Sequence, residues 1–121
     1  MRIAIPVDDN FIETKVCISF GRTPYFMIYD TESKQSSFID NSAAASAGGA
    51  GIKAAQLVAD NKIDVLLTMR CGENADNVLE PAGIKIYKAL SGTAKSNIDK
   101  FLSGELSKLE EIHPGFHGHG G

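Results

Sequence analysis

The sequence predicts an α/β domain in which a mixed sheet is covered by helices. In the first half of the chain, short apolar runs are separated by polar turns, which is typical of an antiparallel hairpin. In the second half, helical periodicity alternates with short apolar runs, which indicates parallel strands joined by right-handed crossovers. With 121 residues, 43% of them hydrophobic, we predict one domain over residues 1–112.

The predicted strands of the first half begin almost at the first residue. Arg2–Val7 is rich in Ile and Val, and Pro6 removes one donor, so this strand should expose an N–H position or end there. Lys15–Ser19 is either a brief strand or an extended loop. Pro24–Asp30 is the second predicted strand, and Gln35–Ile39 returns antiparallel to it.

The second half alternates helices and strands after an irregular polar loop. Helices are predicted from Gly48 to about Asn61, over Glu73–Pro81, and from a cap at Ser91 or Thr93 to Gly104. Asp64–Met69 and Ile84–Tyr87 are the strands between them. The positions expected to face inward from the three helices are Ile52, Ala55, Gln56, Val58, Ala59, Ala75, Val78, Leu79, Ala94, Ile98, Phe101 and Leu102.

The end of the chain is predicted to leave the core. Leu106–Ile112 is a charged segment, helical or extended, and residues 113–121 are a flexible tail rich in glycine. Neutral imidazoles on such a tail could bind a borderline metal, or the tail could simply be solvated. The candidate metal ligands there are His113, His117 and His119.

Composition excludes several classes of function. A net charge of −3 offers no basic surface for nucleic acid, and the apolar runs are too short to span a membrane. Cys17 and Cys71 do not resemble a disulfide framework, so we expect a reduced, cytoplasmic protein.

Topology brings three loops to one edge of the predicted sheet. Ser19–Thr23 precedes the second strand, Gly48–Gly51 follows the third, and Met69–Gly72 follows the buried fourth. The carboxyl ends of strands in open α/β sheets form the usual binding crevice, so we expect a site between these loops.

The residue types in these loops suit an anion or a metal cluster. Gly48–Gly51 opens a helix, either for close packing or as an anion cradle, and Arg22 and Arg70 could bind an anionic ligand. Arg70 and a helix N-terminus should lower the pKa of the Cys71 thiol and favour the metal-binding thiolate. Cys17 faces either the crevice or the core. Inert burial is the alternative for both cysteines.

Catalysis is poorly supported by the same residues. Asp8 and Asp9 end a strand, as in a two-metal hydrolase, but a third acidic residue at that edge is missing, and a turn explains them better. Every histidine lies in the tail, so no serine has a partner base. We therefore predict no catalytic residues and no enzymatic activity.

Four blocks of the chain resemble the dinitrogenase iron–molybdenum cofactor biosynthesis family, which includes nitrogenase accessory proteins. They are Met1–Val7, Phe20–Phe26, Gly48–Gly51 and Asn74–Ile84. The resemblance implies a ribonuclease-H-like fold with a five-stranded mixed sheet flanked by about three helices. It also implies a protein that binds or carries an iron–sulfur or molybdenum-containing cluster, or its precursor, without catalysis.

Resemblance and topology together give a set of candidate ligands. Many relatives have His where this chain has Ser19, so metal ligation would rest on Cys71, Cys17 or the tail histidines. The residues assigned to cofactor binding are Ser19, Phe20, Gly21, Arg22, Gly48, Gly49, Gly51, Arg70 and Cys71.

Two other functions stay open on the sequence. One is a divalent-metal phosphohydrolase or nuclease on the same frame, which would depend on Asp8. The other is an interaction module that docks a cluster-assembly protein through Phe20, Tyr25 and Phe26.

Overall fold

The computed structural model describes residues 1–109 and confirms the α/β class. The predicted tail, its histidines and the last residues of the predicted domain lie outside this range. The elements of the described chain are β1 (Arg2–Val7), β2 (Tyr25–Asp30), β3 (Gln35–Asp40), a 3-10 helix (Ser42–Ala45), α1 (Ala50–Asp60), β4 (Val65–Thr68), α2 (Glu73–Leu79), β5 (Lys85–Lys88) and α3 (Ala94–Leu102).

The strands form one five-stranded mixed sheet in the order β3-β2-β1-β4-β5. The hairpin is confirmed: β2 pairs antiparallel with both β1 and β3. β4 is parallel to β1 and to β5. Val7, Tyr25 and Asp40 lie in register at one edge, where β4 also ends at Thr68.

Pro6 is accommodated inside the central strand rather than at its end. β1 pairs with β4 only at Ile3 and Ala4, so the position of Pro6 lies beyond that pairing. The Pro6 carbonyl, on the side of the strand away from β2, accepts a hydrogen bond from the Cys17 backbone N–H at 2.8 Å. The missing N–H of proline therefore removes no hydrogen bond between β1 and β4.

Each face of the sheet is covered by its own helical layer. Alternation along β1 places Ala4 in the cluster with α1 and α2, and Ile3 and Ile5 in the cluster with α3. Leu66 and Leu67 divide in the same way on β4. The core therefore lies on both sides of the sheet, in which β1 is buried from Ile3 to Val7 and β4 is buried throughout.

Three helix positions predicted to face inward are exposed instead. Ile52 is 43% exposed, Leu102 is 52% exposed, and Gln56 is also exposed. The buried face of α1 is made mainly of alanines, because this helix packs closely against its neighbours. Its buried residues are Ala50, Ala54, Ala55 and Val58. The face predicted for α1 shares Ala55 and Val58 with the buried face, but it is rotated around the helix toward the exposed side chains of Ile52 and Gln56.

Two segments without regular periodicity are ordered by backbone hydrogen bonds. Residues 106–109, the described part of Leu106–Ile112, are extended rather than helical: Lys108 bridges Tyr87, and the Leu109 N–H donates to the Ile86 carbonyl. The loop after β3 contains the short 3-10 helix, capped by the Asn41 side chain, which accepts from the Ala43 N–H.

Leu79→Ala tests the two helix faces against Leu102→Ala. Leu79 on α2 has no exposed surface, so its truncation should lower the free energy of unfolding by about 3 kcal/mol. Leu102→Ala removes the same atoms from an exposed helix position and should cost about 0.5 kcal/mol or less. Urea denaturation measures both, and equal losses would contradict the orientation of α3.

Candidate functional site

The three predicted loops meet at the carboxyl edge of the sheet and enclose a cleft of about 470 Å³. One wall is residues 18–21, the second is the start of α1, and the third is the turn from β4 into α2. The lining residues are Ile18, Ser19, Phe20, Gly21, Gly49, Ala50, Gly51, Ile52, Arg70, Cys71, Gly72, Glu73, Asn74 and Ala75.

Glycine at position 21 allows the first wall to touch the second. A Cβ atom on Gly21 would lie 3.0 Å from the Gly51 nitrogen and 3.2 Å from the Ala50 carbonyl carbon, both backbone atoms that cannot move aside easily. Across the floor of the cleft, a Cβ on Gly51 would lie 3.9 Å from the Ala75 Cβ. The first two walls are therefore in close contact at the level of the backbone, whereas a Cβ on Gly51 would make only an ordinary van der Waals contact with the third wall.

Two helices begin at the cleft, and no side chain caps either of them. Gly49 caps α1 with a left-handed conformation (φ 70°), and Gly72 caps α2 in an extended one. The N–H groups in the first turn of a helix have no partner within it and carry partial positive charge. Together, the two helix starts direct such groups toward one space, an arrangement suited to an anion.

The charged side chains at the cleft are of both signs. Arg70 is exposed and forms no ion pair within residues 1–109. The Thr68 hydroxyl donates to the Arg70 carbonyl at 3.0 Å, which holds the turn that presents the guanidinium. Glu73 lies on the same wall and offsets part of this positive potential.

The expectation for the Cys71 thiol was wrong in direction. Burial, followed by the charge of Asp76, raises the pKa of this thiol from 9.0 to about 12. The Asp76 pKa is itself raised, by burial and by Glu80. Cys71 is 1% exposed, and its thiol donates weakly to the Gly72 carbonyl at 3.6 Å. Loss of solvent around the sulfur outweighs Arg70 and the helix N-terminus, so the thiol is protonated at neutral pH.

Three of the predicted ligands do not line the cleft. The Arg22 guanidinium donates through Nη1 to the Ala44 and Ser46 carbonyls, at 3.0 and 3.1 Å. The Arg22 side chain therefore stabilises the loop after β3, because it hydrogen-bonds to carbonyl groups of that loop and does not reach the cleft. Gly48 and Cys17 also lie outside the lining, while the Ser19 hydroxyl accepts from the Arg22 N–H.

The predicted aromatic anchors are core residues. Phe20 is 5% exposed and Phe26 is fully buried, with ring centroids 5.5 Å apart. Tyr25 is half-buried and packs with the α3 layer. Burial of both phenylalanines removes them as contacts for a partner, because the sheet and α1 already occupy their surfaces.

The structure does not favour the hydrolase alternative. Within residues 1–109, no group of three His, Cys, Asp or Glu side chains is placed to hold a metal ion.

In the same range, no helix is both long and apolar enough to cross a membrane.

Several residues at the site were not found from the sequence. Ile18, which is 57% exposed, and Ile52 add exposed apolar side chains to the lining of the cleft. Glu73 and Asn74 lie on its third wall. Asn41, whose side chain donates to the Gly21 carbonyl of the first wall, was also not found. An asparagine directly after a strand and before a short helix was the available signal for it.

Fold and cleft together define a small α/β protein with a cleft lined by glycines and two helix starts. The chain matches the family described as dinitrogenase iron-molybdenum cofactor over residues 1–104. An uncharacterized protein of Methanocaldococcus jannaschii is 33% identical over 113 residues, which cover 91% of this chain and 92% of that protein. The chain therefore belongs to the dinitrogenase iron-molybdenum cofactor family.

Solved structures of similar proteins agree with this assignment. The apo form of the orange protein from Desulfovibrio gigas has a TM-score of 0.86 at 32% identity, covering 90% of this chain and 92% of that one. A NifB-like protein of Thermotoga has a TM-score of 0.82 at 34% identity, covering 95% and 98%. The predicted family is thus confirmed by both sequence and fold.

Gly21→Ala tests the contact between the first two walls. The added methyl group meets the backbone of α1, so the free energy of unfolding should fall by about 2 kcal/mol. Gly48→Ala is the matched control, because no atom lies within 4 Å of its Cβ position, and it should change stability by less than about 0.5 kcal/mol. Thermal or urea denaturation measures both, and a neutral Gly21→Ala would disprove the close contact.

The Cys71 pKa gives the protein a specific dependence on alkaline pH. Between pH 9 and pH 12 the unfolded chain loses the thiol proton while the folded chain keeps it, so stability should fall as pH rises through this range. Cys71→Ala lacks this group and should lose less stability over the same range. Urea midpoints at a series of pH values measure the difference, and parallel curves for the two proteins would contradict the raised pKa.

Proposed function

We propose that the cleft binds a preassembled anionic metal–sulfur cluster, or a precursor of one, and that the protein carries this cargo without transforming it. The observation that carries the proposal is the convergence of two uncapped helix starts and Arg70 on one cleft. Backbone N–H groups and a guanidinium together favour a compact anion. Membership of the iron-molybdenum cofactor family supports a metal–sulfur species as that anion.

The donor set fits a cluster that arrives complete. Within the described chain, Cys71 supplies the one sulfur atom at the cleft. No group of three His, Cys, Asp or Glu side chains in residues 1–109 is placed to hold a metal ion. Metal ions supplied singly would therefore have too few ligands. A preassembled cluster needs charge complementarity and hydrogen bonds to its sulfur atoms, which Arg70 and the first turns of α1 and α2 can supply. Cys71 would contribute one direct bond by exchanging its proton for a metal.

The proposal includes a non-enzymatic role, a ribonuclease-H-like fold and a cluster-assembly partner. We infer a non-enzymatic role, because no nucleophile–base pair or acidic metal site is assembled in residues 1–109. The five-stranded mixed sheet supports the ribonuclease-H-like assignment. Delivery of a finished cluster implies a cluster-assembly partner, and the cytoplasmic location stays a prediction.

Anaerobic titration with tetrathiomolybdate, a molybdenum–sulfur dianion, tests the binding mode. The wild-type protein should retain molybdenum through desalting, and the visible absorption of the anion should shift on binding. Arg70→Gln removes the cation at the cleft and should weaken binding about tenfold. Lys85→Gln is the matched control, since this exposed lysine begins β5 at the opposite edge of the sheet and its loss should leave affinity unchanged.

Two results would contradict the proposal. One is a wild-type protein that retains no molybdenum after desalting. The other is equal weakening by Arg70→Gln and Lys85→Gln, which would indicate attraction to net charge rather than binding in the cleft.

A further inference from the structure

We propose that Asn41 is a positioning residue for the cleft: its side-chain amide holds the first wall (residues 18–21), through Gly21 and through Thr23 just beyond it, at the distance from α1 that cargo binding needs. The inference rests on the proposed function and adds a residue that lines no part of the cleft. Asn41 follows the last residue of β3 and is 5% exposed. A buried amide must satisfy all of its polar atoms, so its contacts define the shape of the loops around it.

The Asn41 amide uses both of its N–H groups on the wall. Nδ2 donates to the Gly21 carbonyl at 3.0 Å and to the Thr23 carbonyl at 2.9 Å. Oδ1 accepts from the Ala43 N–H at 3.2 Å. The two carbonyl groups can only accept and the Ala43 N–H can only donate, so this orientation of the amide is fixed by its neighbours.

Asn41 is itself anchored to the sheet. Its backbone N–H donates to the Pro24 carbonyl at 3.0 Å, and the preceding residue, Asp40, pairs with Tyr25. Arg22 adds a second tie from the wall to the loop after β3 through the carbonyl groups of Ala44 and Ser46. These bonds therefore hold the first wall in a defined position relative to the end of the β2–β3 hairpin.

The tie matters for the cleft because it ends at Gly21. Gly21, whose carbonyl accepts a hydrogen bond from Asn41, also lies against the backbone of Ala50 and Gly51. A shift of the wall changes the space in front of the first turn of α1, where the anion-binding N–H groups lie. Displacements of this kind weaken binding even when every ligand-contacting group is retained.

Asn97 provides a matched control within the same chain. This asparagine is 1% exposed, and its Nδ2 donates to the Leu90 and Thr93 carbonyls at 2.9 and 3.0 Å. Its Oδ1 accepts from the Leu90 N–H at 2.8 Å. Asn97 lies on α3, in the layer on the other face of the sheet. The two asparagines thus make the same set of bonds, and only Asn41 makes one of them to a residue that lines the cleft.

The experiment compares Asn41→Asp with Asn97→Asp in the full chain. Each substitution keeps the size and an acceptor, removes two donors and adds a negative charge, so both should lower the melting temperature. Well below both transitions, Asn41→Asp should weaken tetrathiomolybdate binding about tenfold, because the wall is no longer held, whereas Asn97→Asp should bind as the wild type does. Asn41→Ser, which keeps a cap for Ala43 and adds no charge, should weaken binding as well. Binding like that of the wild type in this variant would assign the loss in Asn41→Asp to charge repulsion and overturn the positioning role.

Native-state amide hydrogen exchange gives a readout that does not depend on cargo. Exchange should become faster in residues 19–23 and 50–53 of Asn41→Asp, and not in the same residues of Asn97→Asp. Equal affinities in both variants, or unchanged exchange in these residues, would overturn the positioning role while the cargo proposal stands. A wild-type protein that does not bind tetrathiomolybdate would overturn the proposed function, and the exchange result would then still decide whether Asn41 holds the wall.

Discussion

The contact between Gly21 and the first turn of α1 is the constraint on which the site depends. It joins the loop before β2 to the helix after β3 with no side chain between them. Alanines continue this close packing along α1, and Ala75 brings α2 to the same place. Glycine at this contact and at the N-caps of α1 and α2 leaves backbone groups on the cleft walls, and backbone N–H groups at helix starts are suited to anions.

The charges at the cleft both attract and repel an anion. The helix starts and Arg70 favour negative charge, but Glu73 carries negative charge on the same wall. Burial keeps the Cys71 thiol protonated, so the cleft itself does not add the negative charge of a thiolate to that of Glu73. A metal that displaces the thiol proton would form a bond with little competition from water, which favours slow release of a bound cluster.

The sequence was sufficient for most of the architecture and for the meeting of the three loops. The hairpin followed from the apolar runs, and the meeting of the loops followed from the rule that the carboxyl ends of strands form one crevice. Side-chain directions did not follow, since periodicity does not show that small residues pack more closely than Ile52. Local partners were also hidden: Arg22 binds nearby carbonyl groups and Phe20 packs on Phe26, contacts that depend on the folded backbone. The pKa of Cys71 depends on burial, which residue order alone does not give.

The most direct test of the account is a chemical-shift map of the backbone amides during anaerobic titration with tetrathiomolybdate. We expect the largest shifts at residues 49–52 and 72–75, where the N–H groups of α1 and α2 begin. Residues at the opposite edge of the sheet, around Lys85, should not shift. Shifts centred away from the two helix starts, or absent from them at saturation, would contradict an anion site built from the backbone.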